Sequence, residues 1–309
     1  MHPLKDISLY VLPVVLTCAL AEGVWMSARR PGSFDWKSWA CSLGDLVGRF
    51  AMLAAVYVLG SPLLTFVYQH RVFDLAPESV ETILLLFVSL EFFYYWYHRG
   101  AHTIRWFWMN HSVHHSPNQL VLSAAYRLGW MGKIGGNMLF FTPLVFLGFE
   151  PQIVLMALSL NLLYQFWIHA AWIPKLGWLE YVLNTPSAHR VHHARNPEYL
   201  DANFGGVLIV FDRLFGTYIE EKDDVPCEYG LVTPVRSHNP IVINFMPWIG
   251  LAKDVASARS LKEAWLYMFA PPGWRPNGQG LTTRELRAQA ALSKSASAKA
   301  APVPQPVMT

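Results

Sequence analysis

Apolar residues in this chain gather into long runs instead of recurring every third or fourth position as in a soluble amphipathic helix. A membrane-crossing helix needs about 20 mostly apolar residues. Ile7 to about Met26 meets that length with Glu22 as its one late interruption. Leu43 to Tyr68 also meets it, with Asp45 and Arg49 near its start, four apart and so placed for an intrahelical ion pair. Val80 to about Tyr97 is a third span that delivers the chain directly to His98. Met138 to Gly148 and Ile153 to Ala171 predict a helical hairpin turned by Gly148, Phe149, Glu150 and Pro151, its first arm short enough to dip only partway into a bilayer. The leading run has no basic flank before it and no small-x-small cleavage site, so it reads as a retained helix and not a signal peptide.

The remaining segments are more polar. Pro174 to Val242 predicts a cytosolic cap, with Gly205, Gly206 and Gly216 punctuating short apolar runs. Pro240 to Phe269 is aromatic and apolar but broken by Pro247 and Lys253, which predicts an interfacial helix in place of a further span. After about Thr282 comes a short helix near Arg284 to Leu292, then a disordered tail rich in Ala, Ser, Lys and Pro that contains Pro302 and Pro306. The expected organisation is an all-α multi-pass membrane protein: N-terminal transmembrane helices over 1–79, a catalytic domain over 80–245, an interfacial segment over 246–281 and a tail over 282–309. About four spans carry a helical cap.

Composition supports that class. Charged residues make up 15% of the chain, against roughly 25% in a soluble domain, and the mean hydropathy is +0.25. Thirteen Trp and thirteen Tyr supply rings that favour the headgroup level. A net charge of +3 without a basic run excludes a nucleic-acid footprint. Cys18, Cys41 and Cys227 lie far apart and form no disulfide framework.

The chemistry lies in histidine. Nine of the twelve fall into groups: His98 and His102; His111, His114 and His115; His169 alone; and His189, His192 and His193. Spacings of three and four place the members of each group on one helix face. Nine rings exceed the ligand count of one ion and suit two. H-x-x-H-H occurring twice has no packing rationale, whereas His2, His70 and His238 have no such neighbours. Spacing alone leaves His169 undecided. Glu91, an ionisable residue inside a span, shares a helical stripe with Tyr94, Tyr95, His98 and His102. It is read as a carboxylate that orients a ligand imidazole, against a hydrogen bond to a neighbouring Tyr or Trp; Asn110, Asn161 and Asn184 are further candidate polar partners. An almost all-nitrogen donor set fits iron, zinc or copper.

Orientation follows from charge. Arg29, Arg30 and Lys37 follow the first span, whereas the 70–79 segment sets Arg71 against Asp74 and Glu78, with Glu81 at its edge. Residues 27–42 are therefore expected in the cytoplasm and 70–79 outside. The third span and the hairpin then end inside, so all nine histidines are expected at the cytoplasmic face.

The boxes His98-Arg-Gly-Ala-His102, His111-Ser-Val-His-His115 and His189-Arg-Val-His-His193 resemble those of the fatty acid hydroxylase/sterol desaturase superfamily. The resemblance covers roughly Val80 to Pro240. Tyr164 to His169, Leu183 to His193, Phe211 to Thr217 and Tyr229 to Pro234 are most similar to its alkylglycerol monooxygenase-like branch. The resemblance implies a membrane-embedded non-haem diiron enzyme using O2 on a lipid, with His169 as a ninth ligand. Some relatives carry a further histidine where this chain has Ile173, so one ion is expected to be completed by water or Asn. No cytochrome b5-like domain is fused, which implies a separate electron-donor protein or a diffusible reductant; the branch uses tetrahydrobiopterin, for which the chain shows no motif.

The resulting expectation is a lipid hydroxylase that inserts oxygen into a C–H bond of a fatty acyl, alkyl or sterol-like substrate. The aromatic run Phe92 to Tyr97 could line its substrate entrance, although most of these rings are more simply read as lipid-facing or packing residues. A desaturase of the same superfamily and a histidine-rich zinc or copper transporter are the alternatives. A transporter should place ligands along a path near the bilayer midplane.

Overall fold

The computed structural model describes the backbone of residues 3–300 and the side chains of residues 10–52 and 62–293. The expected tail at Pro302 to Pro306 lies outside the described residues. Eleven α-helices are described: α1 (Pro3–Arg29), α2 (Trp36–Gln69), α3 (Val80–Thr103), α4 (Arg105–His114), α5 (Thr142–Leu147), α6 (Pro151–Ile168), α7 (Pro186–His193), α8 (Val210–Phe215), α9 (Pro240–Ala256), α10 (Leu261–Phe269) and α11 (Thr283–Ala300). Short 3₁₀ turns join some of them, and only isolated bridges represent β-structure among the described residues. The fold is all-α.

Among the described residues, three helical segments are long and apolar enough to cross a membrane: Tyr10–Arg29, Val80–Thr103 and Pro151–Ile168. The expected span over Leu43 to Tyr68 falls within α2, where the side chains of 53–61 lie outside the described residues. Helix α3 runs on past Tyr97 to Thr103 and carries His98 and His102, as the shared stripe with Glu91 predicts. Asp45 accepts hydrogen bonds from Leu128 N (3.1 Å) and Asn244 Nδ2 (2.7 Å), so its carboxylate ties α2 to the centre of the molecule and is not reserved for Arg49.

The helices give the molecule two ends. At one, the 70–79 segment lies along the hairpin turn: Val72 N donates to Phe146 O (2.9 Å) and Leu75 N to Gly148 O (3.2 Å). Gly148 has φ +135°, and a Cβ there would sit 2.2 Å from Phe73 O, so the turn admits only glycine. The short first arm is a 3₁₀ turn over Asn137–Phe141 running into α5. Leu90, Phe141, Leu144, Phe149 and Val154 pack together there as one core.

At the other end, Gln119 bonds Asp35 N (2.9 Å) and Ser33 O (2.8 Å), which joins the α1–α2 connection to the segment after α4. Glu22, the interruption in the first span, is buried and accepts from Leu122 N (2.7 Å) and Trp172 Nε1 (3.0 Å). The C-terminal ends of α3 and α6 and the whole of α4 and α7 meet here.

The expected single interfacial helix is two. Helix α9 bends past Pro247 without breaking, and the chain turns at 257–260 into α10, with Ser260 capping Glu263 N (3.1 Å). The C-terminal helix exceeds the 284–292 expectation and replaces the start of the expected tail, running through Thr283–Ala300. Thr282 and Glu285 start it reciprocally: Glu285 Oε2 accepts from Thr282 N (2.8 Å), and Thr282 Oγ1 accepts from Glu285 N (3.4 Å).

Candidate metal centre

All nine grouped histidines converge, and they divide into two sets. His98, His102, His111, His115 and His192 form one; His114, His169, His189 and His193 form the other, each with ligand atoms within 4.8 Å of one another. All are buried. Each H-x-x-H-H box is shared between the sets: His111 and His115 point one way and His114 the other, while His192 parts from His189 and His193. In each box the two histidines four apart stay together and the remaining one joins the other set, a division set by how α4 and α7 face one another.

Most ring orientations are fixed from behind. The Nδ1–H of His98 donates to Phe204 O (2.8 Å), that of His114 to Arg127 O (3.0 Å), that of His169 to Gln165 O (2.7 Å) and that of His192 to Ala202 O (2.9 Å). His102 Nδ1 lies 3.4 Å from Asp201 Oδ1. A carbonyl only accepts, so Nδ1 carries the proton in those four rings and Nε2 presents a lone pair inward. His114 Nε2 then faces His169 Nε2 at 3.4 Å, acceptor to acceptor. Such a contact is repulsive unless a cation stands beside both nitrogens. The buried Nε2 atoms of His102, His192 and His193 have no hydrogen-bond partner.

Spacing permits the same conclusion. Two nitrogens each about 2.1 Å from one ion are about 3.0 Å apart at a right angle and about 3.4 Å apart at the tetrahedral angle. The Nε2 pairs His98–His111, His111–His115, His169–His189 and His114–His169 measure 3.0, 3.2, 3.1 and 3.4 Å. Burial pushes His114 down to about 4, and burial with repulsion among neighbouring rings holds His115, His189, His192 and His193 well below the ordinary histidine range. The rings are neutral at pH 7, the form that binds metal.

Glu91 serves the site at one remove from where its stripe places it. It contacts no histidine and no aromatic hydroxyl. Oε1 accepts from Asn161 Nδ2 (2.5 Å), and Oε2 accepts from Val207 N and Leu208 N (both 2.8 Å). Asp212, unmarked by spacing, does the same for the loop's other half, accepting from Phe204 N and Gly205 N (both 2.7 Å) and from Thr217 Oγ1 (2.7 Å). Burial pushes its carboxyl up to about 6, so it is still ionised at neutral pH. Between them the two carboxylates fix the 202–208 loop, whose carbonyls hold His192 and His98. Asp201 (φ +51°) and Asn203 (φ +58°) adopt left-handed backbone within this stretch, a strain accepted where the loop is over-determined.

The candidate asparagines also support backbone. Asn161 bridges Glu91 and Gln165, Asn184 donates to Gly205 O (2.6 Å), and Asn110 binds Leu128 O (3.0 Å) and Met131 N (3.0 Å). None touches a histidine ring. Ile173 packs beside Ala170 and Leu122, and its carbonyl accepts from Arg190 Nη1 (2.6 Å). Arg190, inside the third box, also forks onto Glu221 (2.7 Å to each oxygen), which clamps α7 to the chain following His169. Its position between ligand histidines was the available signal. The aromatic run before His98 packs instead of lining an entrance: Tyr95 stacks on Phe215, and Phe92 meets Phe211 edge-on.

Residues 83–217 match the family model described as fatty acid hydroxylase, and they contain every one of these histidines. The chain carries a fatty acid hydroxylase family domain. It is 35% identical to an alkylglycerol monooxygenase of Xenopus tropicalis over 252 residues, covering 79% of this chain and 56% of that protein. With the alkylglycerol monooxygenase of Homo sapiens it shares 35% identity over 273 residues, covering 87% and 58% respectively. An ornithine lipid hydroxylase, OlsE, of Rhizobium tropici is 27% identical over 164 residues, 53% of this chain and 49% of that protein. The chain thus spans a little over half the length of the alkylglycerol monooxygenases it matches. No solved structure matches it.

Proposed function

We propose that this protein, with its fatty acid hydroxylase family domain, is a membrane-bound non-haem diiron monooxygenase that hydroxylates a lipid with O2. The observation that carries the reading is the His114–His169 contact, two inward lone pairs 3.4 Å apart inside a buried set of four imidazoles, with a second set of five beside it. His98, His102, His111, His115 and His192 would hold one ion, and His114, His169, His189 and His193 the other. Iron at both positions is favoured by the family, with zinc the competing occupant of an all-nitrogen set. The bound pair supplies O2 activation: one oxygen atom enters a C–H bond, and the other leaves as water with two electrons and two protons from an external donor.

The chain's own part is orientation and exclusion. Backbone carbonyls fix four ligand tautomers, and Glu91 and Asp212 fix two of those carbonyls. Neutral, buried rings keep competing protons off the donor atoms. With four ligands in the second set and a packing residue at Ile173, that ion keeps room for water or a reactant. Relatives named for alkylglycerol and ornithine lipid support a lipid substrate, and the three apolar helices support a site beside a bilayer. The excess of Arg29, Arg30 and Lys37 favours the cytoplasmic face. Electrons come from a separate protein or a reductant such as tetrahydrobiopterin.

The test is lipid turnover under labelled O2 with the intact protein and with His114→Ala and His192→Ala. The expected result is product heavier by one labelled oxygen, abolished in both variants. Product lighter by two hydrogens would assign a desaturase. Metal uptake altered by the variants with no lipid product in the intact protein would assign the transporter reading.

A further inference from the structure

A cavity of about 200 Å³ opens on one side of the histidine cluster, and its floor is made by His102, His115, His192 and His193. Six of its wall residues, most of them apolar, are Trp108, Leu231, Val232, Leu281, Thr283 and Leu286; Arg195 and Asp201 also line the cavity. Five of those six wall residues lie beyond the 83–217 family domain. The C-terminal stretch is therefore a component of the site and not an appendage.

That wall is fixed in place. Arg287 of α11 donates through Nη2 to Leu200 O (2.5 Å) and through Nε to Pro197 O (3.2 Å). Leu200 itself lines the cavity, so the clamp ties the C-terminal helix to the loop that follows the third box. Leu281 N donates to Gly273 O (3.0 Å), holding the preceding turn against the same opening.

Size and lining limit the occupant. Pockets that enclose a whole drug-sized ligand measure about 300–1,000 Å³, so this one receives a portion of a molecule. The two charged groups in the lining are already engaged, Arg195 with Glu228 (3.2 Å) and Asp201 beside His102 Nδ1 (3.4 Å), so a charged headgroup would have to displace these partners and burying one there is costly. Saturated hydrocarbon enters at no such penalty and brings C–H bonds to the imidazole floor.

We propose that this cavity receives the reacting stretch of an unbranched hydrocarbon chain of a lipid, and that Leu281 and Leu286 of the C-terminal segment set which chains fit. The proposal rests on the lipid monooxygenase reading. A larger residue at 286 shortens the space above the floor, and a smaller one lengthens it. One or two methylenes of misfit in an apolar pocket change selectivity by roughly 10- to 200-fold.

Two measurements on the full chain test this. First, Leu286→Cys is reacted with a small thiol reagent, with the intact protein giving the background from Cys18, Cys41 and Cys227. A long-chain monoacyl or monoalkyl glycerol is expected to slow labelling of the introduced thiol, whereas glycerol alone does not. Second, Leu286→Trp and Leu286→Ala are compared across a chain-length series. The Trp variant is expected to shift preference to shorter chains by about tenfold or more, and the Ala variant to longer ones, both at unchanged metal content. No protection by the lipid, or unchanged chain preference at full metal content, overturns the proposal. Protection in a protein that oxidises no lipid would sustain the pocket and remove the monooxygenase reading, so the two fail separately.

Discussion

At the residue scale, a ligand histidine here is a ring held at both ends. His114 and His169 each bind a backbone carbonyl through Nδ1–H, so neither can turn away from the other's lone pair. His114→Ala and His169→Ala are each expected to remove about one ion of two while helical content stays unchanged, as metal analysis and circular dichroism of the same samples would show. Asp212 is the residue whose importance is least visible in the sequence. Asp212→Asn puts an amide NH2 against the amides of Phe204 or Gly205, donor to donor, and frees the carbonyls behind His98 and His192. A partner of that kind is typically worth 10- to 100-fold in metal affinity or activity. Metal retention against a chelator should fall by about that factor, and Glu91→Gln should act in the same direction through Val207 and Leu208.

At the scale of elements, periodicity located what spacing could locate. The three boxes, the hairpin turn at Gly148 and the buried stripe Glu91, Tyr94, Tyr95, His98 and His102 on α3 were all legible, because each depends on residues within one helix or one turn. The partners of Glu91 were not legible. They lie 70 residues away at Asn161 and 116 and 117 away at Val207 and Leu208, and two of them are backbone amides that carry no residue signature. The division of each H-x-x-H-H box between two metal sets was equally hidden, since it depends on how α4 and α7 face one another. Gly206 marks the close contact between the 202–208 loop and α6: a Cβ there would lie 2.3 Å from Asn161 Nδ2. Gly206→Ala should lift the loop from Asn161 and lower metal retention, whereas Gly250→Ala in α9, with nothing within 4 Å, should leave it unchanged.

At the scale of the molecule, charge bias and hydrophobic runs lead one to expect residues 27–42 and 70–79 on opposite faces. In the structure residues 33–35 bond to Gln119 near the histidines, and residues 72–75 bond to the hairpin turn. Lys37→Cys and Glu78→Cys, both at exposed positions, are expected to label from opposite faces of sealed vesicles, with Lys37→Cys on the cytoplasmic side. Labelling of both from one face would remove the topology on which the lipid-side access depends. The sequence indicated a C-terminal helix near Arg284 to Leu292 but not its full length or its attachment, because the Ala, Ser and Lys composition has no apolar run to announce a partner and the helix is held by Arg287 to two carbonyl oxygens. The central claim remains two iron ions held by nine imidazoles. Metal quantification of the full chain, purified in mild detergent after iron reconstitution, tests it most directly: the account predicts close to two irons per chain, one for each histidine set. Iron below one per chain, or zinc retained at both positions with no lipid oxidised, would contradict it.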